Sequence, residues 1–80
     1  MASEVLRIIA FGPLAEELSG KNHQVAYVKG KSIQYYVQQL SAAKWLNMGL
    51  VVALNGEVCQ LQSIPMPGDE IALLPPVSGG

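Results

Sequence analysis

The group in this chain best suited to covalent chemistry is the carboxylate at its end. The last eight residues, Leu73-Leu74-Pro75-Pro76-Val77-Ser78-Gly79-Gly80, read as a strand end, a stiff exit and a bare tip. A free α-carboxyl titrates near pH 3.5, so that of Gly80 is an anion at neutral pH, resonance-stabilised and a poor electrophile. ATP-dependent adenylation would give it a leaving group, and a sulfur nucleophile could then leave a thiocarboxylate on the tip. Pro75 and Pro76 fix φ and lack an N–H, so strand pairing should stop near Leu74 and the chain should leave in a polyproline-like form. Gly79 and Gly80 carry no Cβ, which suits a peptide end that threads a narrow slot in another protein. At roughly 3.1 to 3.4 Å per residue, the segment from Pro75 to Gly80 could carry its carboxylate about 20 Å from the globule. The competing reading is an ordinary frayed terminus. Gly-Gly after Pro-Pro and a hydrophobic strand favours the tether.

Other reactive residue types are sparse. Cys59 is the sole cysteine, so an intramolecular disulfide is impossible and a cytoplasmic location is the simplest expectation. Between Val58 and Gln60 it reads as a small core or sheet residue rather than a nucleophile. His23 has no second histidine or cysteine at ligand spacing, and no metal site is expected. Glu16-Glu17 and Asp69-Glu70 read as a solvated helix face and a turn. A net charge of −1 provides no basic field for nucleic acid and no polybasic membrane patch. Met1-Ala2-Ser3-Glu4 lacks a basic leader region, and no apolar run would cross a bilayer.

Several elements must hold the tail out. Val5 to Phe11 alternates Val5, Ile9 and Phe11 with Leu6, Ile8 and Ala10, which predicts a central strand covered on both faces. Gly12-Pro13 then breaks the strand and opens a short helical turn through Leu14 to Leu18. Lys21 to Val28 predicts a second strand. Ser32 is the expected N-cap of the main helix, where Ile33, Tyr36, Val37 and Leu40 share one face and Gln34, Gln38 and Gln39 point outward. Ala42 to Met48 leaves two options, with Trp45 either extending the helix or plugging one end of the core. Leu50 to Leu54 and Glu57 to Leu61 predict a hairpin about the strong turn signal Asn55-Gly56. A loop broken by Pro65 and Pro67 and a turn at Gly68-Asp69 lead into the last strand, Glu70 to Leu74. The order ββαβββ argues for a single α+β domain over residues 1–80, with 75–80 as its tail. Eighty residues bury only about 60 to 65 per cent of the unfolded surface, so some apolar surface should remain for a partner.

The run Gly68-Asp69-Glu70-Ile71-Ala72-Leu73-Leu74-Pro75-Pro76-Val77-Ser78-Gly79-Gly80 resembles the ending of the small, sulfur-carrying subunit of molybdopterin synthase, the MoaD family. Looser likeness extends through Phe11-Gly12 and Val52-Ala53-Leu54-Asn55. The chain differs from the family in having Leu73-Leu74 where an aromatic pair is common, and in lacking the usual arginine within Pro13-Leu14-Ala15-Glu16-Glu17.

The resemblance implies a ubiquitin-like β-grasp fold: a mixed sheet whose first and last strands pair in parallel at its middle, one main helix on one face, and a protruding Gly-Gly tail. It also implies a sulfur carrier for molybdenum cofactor biosynthesis, adenylated at Gly80 by a ubiquitin-activating-like (MoeB-like) enzyme and loaded from a desulfurase system. Its sulfur would be delivered inside the large (MoaE-like) synthase subunit, with Gly79, Ser78, Val77, Pro76 and Pro75 threading the slot. ATP would serve the activating partner, and this chain would bind no cofactor of its own. Strand alternation sends Leu73 and Leu74 to opposite faces. With Leu73 under the helix, Leu74 becomes the docking centre, with Phe11 and Val58 as neighbours by resemblance; the reversed assignment stays open at this point. A carrier of sulfur for thiamine or tRNA shares the Gly-Gly end, although Pro75-Pro76-Val77 favours the molybdopterin branch. A ubiquitin-like modifier or non-catalytic interaction domain is the alternative from another class.

Overall fold

The structure is a computed structural model and describes residues 4–40 and 42–76. Strand β1 (Val5–Ala10) is followed by helix α1 (Gly12–Glu17), β2 (Asn22–Ala26), helix α2 (Ile33–Gln39), a 3₁₀ segment (Ala43–Met48), the hairpin β3 (Val51–Leu54) and β4 (Glu57–Cys59), and β5 (Glu70–Leu74). The five strands form one sheet in the order β2-β1-β5-β3-β4. β1 and β5 are parallel, with Ile8 opposite Ile71 and Ala10 opposite Leu73, while every other neighbour is antiparallel. The α+β expectation and its β-grasp form therefore hold, with β1 and β5 inside the sheet.

Among the described residues the main core cluster lies on one face of the sheet. Leu6, Ile8 and Ala10 from β1, Ile71 and Leu73 from β5, and Val52 from β3 pack against Ile33, Tyr36 and Val37 of α2, and Leu14 joins them from α1. On the other parity of β1, Val5 and Ile9 are half-buried and Arg7 is exposed. The expectation of a strand covered on both faces is thus corrected: β1 is central in hydrogen bonding, but its second face is open. Apolar residues on both parities cannot distinguish a second layer from a surface awaiting a partner.

The bounds of two further strands shift. β2 runs only from Asn22 to Ala26, and β4 ends at Cys59 rather than Leu61. The chain leaves β4 because Leu61 and Ser63 turn their carbonyls to the first turn of α2, accepting from Gln34 N–H (3.1 Å) and Ile33 N–H (2.9 Å). Those bonds satisfy donors that a helix start leaves free. Ser32 stands at the N-cap in extended conformation, without a capping side-chain bond. Trp45 does not extend α2; it sits in the 3₁₀ segment and closes one end of the core, 9% exposed.

Polar groups that enter the core are satisfied. The Tyr36 hydroxyl donates to the Val28 carbonyl and accepts from the Val28 amide, both at 2.9 Å. At the Asn55-Gly56 turn both residues take positive φ, 50° and 87°, as a tight hairpin requires. Asn55 also fixes the start of β5: its Oδ1 accepts from the Glu70 amide (3.0 Å) and its Nδ2 donates to Asp69 (3.1 Å).

Candidate functional site at the tail root and open sheet face

β5 carries the tail out of the middle of the sheet. Leu73 is fully buried beneath the helix, and the next residue, Leu74, is half-buried on the open face. Leu74 stands opposite Val51 of β3, which is 42% exposed. On the other side, Phe11 follows the last β1 residue with extended angles (φ −125°, ψ 153°), so the alternation continues and turns its ring to the same face. The Lys21 ammonium lies 5.0 Å from the centroid of that ring. Phe11, Leu74 and Val51 thus make an apolar row beside the exit.

A second row runs behind it through Ile9, Ala72, Ala53 and Val58. Val58 is 73% exposed but belongs to the far edge strand, separated from Leu74 by β3. The structure therefore puts Leu74, Phe11 and Val58 on one face, with Phe11 near Leu74 and Val58 at the rim. Val51 is the residue that sequence reasoning missed. Its parity within β3 was visible, but its pairing with Leu74 depends on a register between segments distant in sequence. Arg7 and Glu70, 3.8 Å apart and partly exposed, bound the apolar area on the side remote from the tail.

At the root, strand pairing ends at Leu74 as the prolines require. Pro75 passes Gly12 and Pro76 passes Gly49: a Cβ placed on these glycines would lie 3.7 Å from Pro75 Cγ and 3.9 Å from Pro76 Cβ. Gly12 (φ +58°) opens α1, and Gly49 (φ +85°) ends the 3₁₀ segment in the left-handed region. These backbone angles suit glycine far better than other residues. Val77, Ser78, Gly79 and Gly80 lie outside the described residues.

The same two elements are joined through Glu17, which departs from its reading as a purely solvated residue. Its carboxylate accepts a hydrogen bond from Trp45 Nε1 and pairs with the Lys44 ammonium. The Lys44 interaction, then the Trp45 bond, hold the Glu17 carboxyl below the ordinary carboxylate range against a smaller opposing effect of desolvation. Cys59 is half-buried in β4 as a free thiol, and His23 lies in edge strand β2 with its Nε2 2.8 Å from the Gly20 carbonyl oxygen. Among the described residues, no group of three His, Cys, Asp or Glu side chains converges as a metal site would require, and no helix is long and apolar enough to cross a membrane.

Comparison with known proteins places this geometry. The pattern of the ThiS family matches residues 8–80, nearly the whole chain and both terminal glycines. The chain belongs to the ThiS family. Its ubiquitin-like β-grasp is the fold of ThiS- and MoaD-like sulfur carriers. Among solved structures, small archaeal modifier protein 1 (SAMP1) of Haloferax volcanii is 26% identical, with a TM-score of 0.78 over 95% of this chain and 99% of that one. Subunit 1 in a complex of subunits 1 and 2 of the molybdopterin-converting factor from Helicobacter pylori is 27% identical, with a TM-score of 0.61 over 95% and 99% of the two chains. A candidate subunit 1 of that factor from Pyrococcus furiosus, at 14% identity and TM-score 0.77 over 94% and 100%, shares the fold. A search of curated proteins returned no match.

Proposed function

We propose that this ThiS-family chain is a sulfur carrier of molybdenum cofactor biosynthesis that works through the carboxylate of Gly80. The observation that carries the reading is the exit geometry: the central strand ends in Leu74, and Pro75-Pro76 leads away from it beside an apolar face. The family match continuing through residue 80 supports it. An adenylating partner would join the carboxylate oxygen to the α-phosphorus of ATP and release pyrophosphate. The outer sulfur of a persulfide on the sulfur-donating partner would then attack the acyl carbon, forming C–S as C–O breaks and AMP leaves, and a partner thiol would cleave the S–S bond of that acyl disulfide, freeing the thiocarboxylate and leaving a disulfide on the partner. The thiocarboxylate would be spent in the synthase large subunit and regenerated as carboxylate. ATP and the desulfurase belong to the partners, and the carrier supplies the tethered acyl group.

The large subunit would dock on Phe11, Leu74 and Val51, with Val58 at the rim. The Helicobacter pylori relative, solved in complex with subunit 2 of its factor, favours a partner of that kind. Burying a side chain such as Leu74 in a partner contributes roughly 1.5 to 3 kcal/mol, enough for an interface anchor. The SAMP1 likeness favours a second reading, a modifier joined to other proteins through Gly80.

Intact mass after expression beside the biosynthetic partners separates the two. Exchange of one oxygen for sulfur at the terminus supports the carrier, whereas attachment of the chain to lysines of other proteins supports the modifier. Removing Gly80 should abolish loading with the fold unchanged by circular dichroism. A truncated chain that still gains a thiocarboxylate sinks the proposal. One residue added after Gly80 should be nearly as damaging, because near-attack geometry tolerates little displacement.

A further inference from the structure

The tail root is flanked by a circuit of close approaches and hydrogen bonds, with Pro75 half-buried and Pro76 exposed. Gly12 stands against Pro75, and α1 runs from Gly12 to Glu17. The Glu17 carboxylate holds the Trp45 indole, and the Trp45 carbonyl accepts from the backbone amides of Gly49 and Leu50. Gly49 returns to Pro76 and completes the circuit. The elements on either side of the exit thus share a polar joint, and among the described residues that joint is made by Glu17 with Trp45 and Lys44.

We propose that Glu17 is a positioning residue for the tail: its carboxylate fixes α1 against the 3₁₀ segment and so sets the gap between Gly12 and Gly49 through which Pro75 and Pro76 leave the sheet. The geometric claim stands on these contacts alone, and its consequence for delivery of Gly80 rests on the carrier reading. Consecutive prolines are stiff, so the direction imposed at their base is passed outward instead of being lost at the first bond. A wider gap spreads those directions and leaves fewer of them aimed into a narrow partner slot. Docking should sense the change little: of its residues Phe11 alone adjoins α1, and it keeps the extended backbone of β1. Leu14 packs α1 into the helix-side core, whereas Leu74 and Val51 lie on the opposite face of the sheet. Loss of the joint should therefore lower the frequency of productive entry without weakening attachment of the domain.

The test uses the full chain in two measurements. In the free protein, nuclear Overhauser contacts between the Gly12 and Gly49 α-protons and the rings of Pro75 and Pro76 report the gap. In ATP–pyrophosphate exchange with the adenylating enzyme of the same cell, kcat and KM report delivery. Glu17→Ala should weaken both sets of contacts and lower kcat about tenfold with KM unchanged. Glu17→Gln keeps an oxygen acceptor for Trp45 and should recover most of both signals. Trp45→Phe removes the donor and should resemble Glu17→Ala. Unchanged contacts in Glu17→Ala overturn the proposal, as does a loss of activity that appears in KM or follows thermal unfolding. If even the native chain is not adenylated, the carrier reading fails while the proton contacts still decide the role of Glu17.

Discussion

Leu73 and Leu74 are chemically identical neighbours with opposite tasks, assigned by the period of two along β5. Leu73 is wholly enclosed, so Leu73→Glu places a charge in the core without a partner and should cost about 3 kcal/mol or more, observable as loss of a cooperative melt. Leu74→Glu should leave the melting temperature within a few degrees of native and weaken binding to a synthase large subunit by about tenfold or more in a titration. If both variants fold and bind normally, docking occurs elsewhere. Gly49 provides a different measure of the same region. An alanine Cβ there meets Pro76 at an ordinary 3.9 Å, but the backbone angle of +85° remains unfavourable. Gly49→Ala should therefore cost about 1 to 2 kcal/mol through the backbone, read from denaturant unfolding, with no new clash. Cys59→Ser should fold and load normally, since the sulfur is proposed to ride on Gly80; a folded, adenylated variant that never accepts sulfur would implicate the thiol.

At the scale of elements, the joint between α1 and the 3₁₀ segment has a pH signature. The Glu17 carboxyl titrates below its ordinary value of 4.5 because Lys44 and Trp45 favour its anion. Its contribution is therefore present above the unfolded-state pKa and is lost as pH falls through the lower folded-state value. The difference in melting temperature between the native chain and Glu17→Gln should be largest near neutrality and close as the pH is taken below about 4.5. A constant difference across that range would mean that the charge is not involved. This joint was hidden in the sequence. Glu17 and Trp45 are far apart along the chain, and Glu16-Glu17 has the ordinary look of an exposed helix. Signals confined to one segment were readable: the apolar face of α2, the turn at Asn55-Gly56, and the halt at Pro75. The ends of β2 and β4 were not, because an edge strand stops where its neighbour or a competing acceptor stops it. The same limit hid Val51, whose role is set by the strand opposite, and made β1 look covered on both sides.

At the scale of the whole molecule, among the described residues β5 is the strand that joins the β2-β1 pair to the β3-β4 hairpin. The family likeness implied both the pairing of the first and last strands and its parallel sense. The arrangement also has a mechanical meaning. β1 and β5 run parallel, so force applied at the start of β1 and at the tail draws the two strands past each other along their length. Their ladder bonds then share the load and must fail together. β3 runs the other way, and its first residue, Val51, faces Leu74 beside the exit. Force applied at residue 50 and at the tail would instead peel β5 from β3 one bond at a time. Single-molecule stretching through the first pair of points should require markedly greater force than through the second; equal forces would mean that the parallel ladder is not the element that yields. An enzyme that drags the tail into its slot while gripping the open face would pull across the weaker seam, whereas a machine hauling the chain from its far end would meet the clasp.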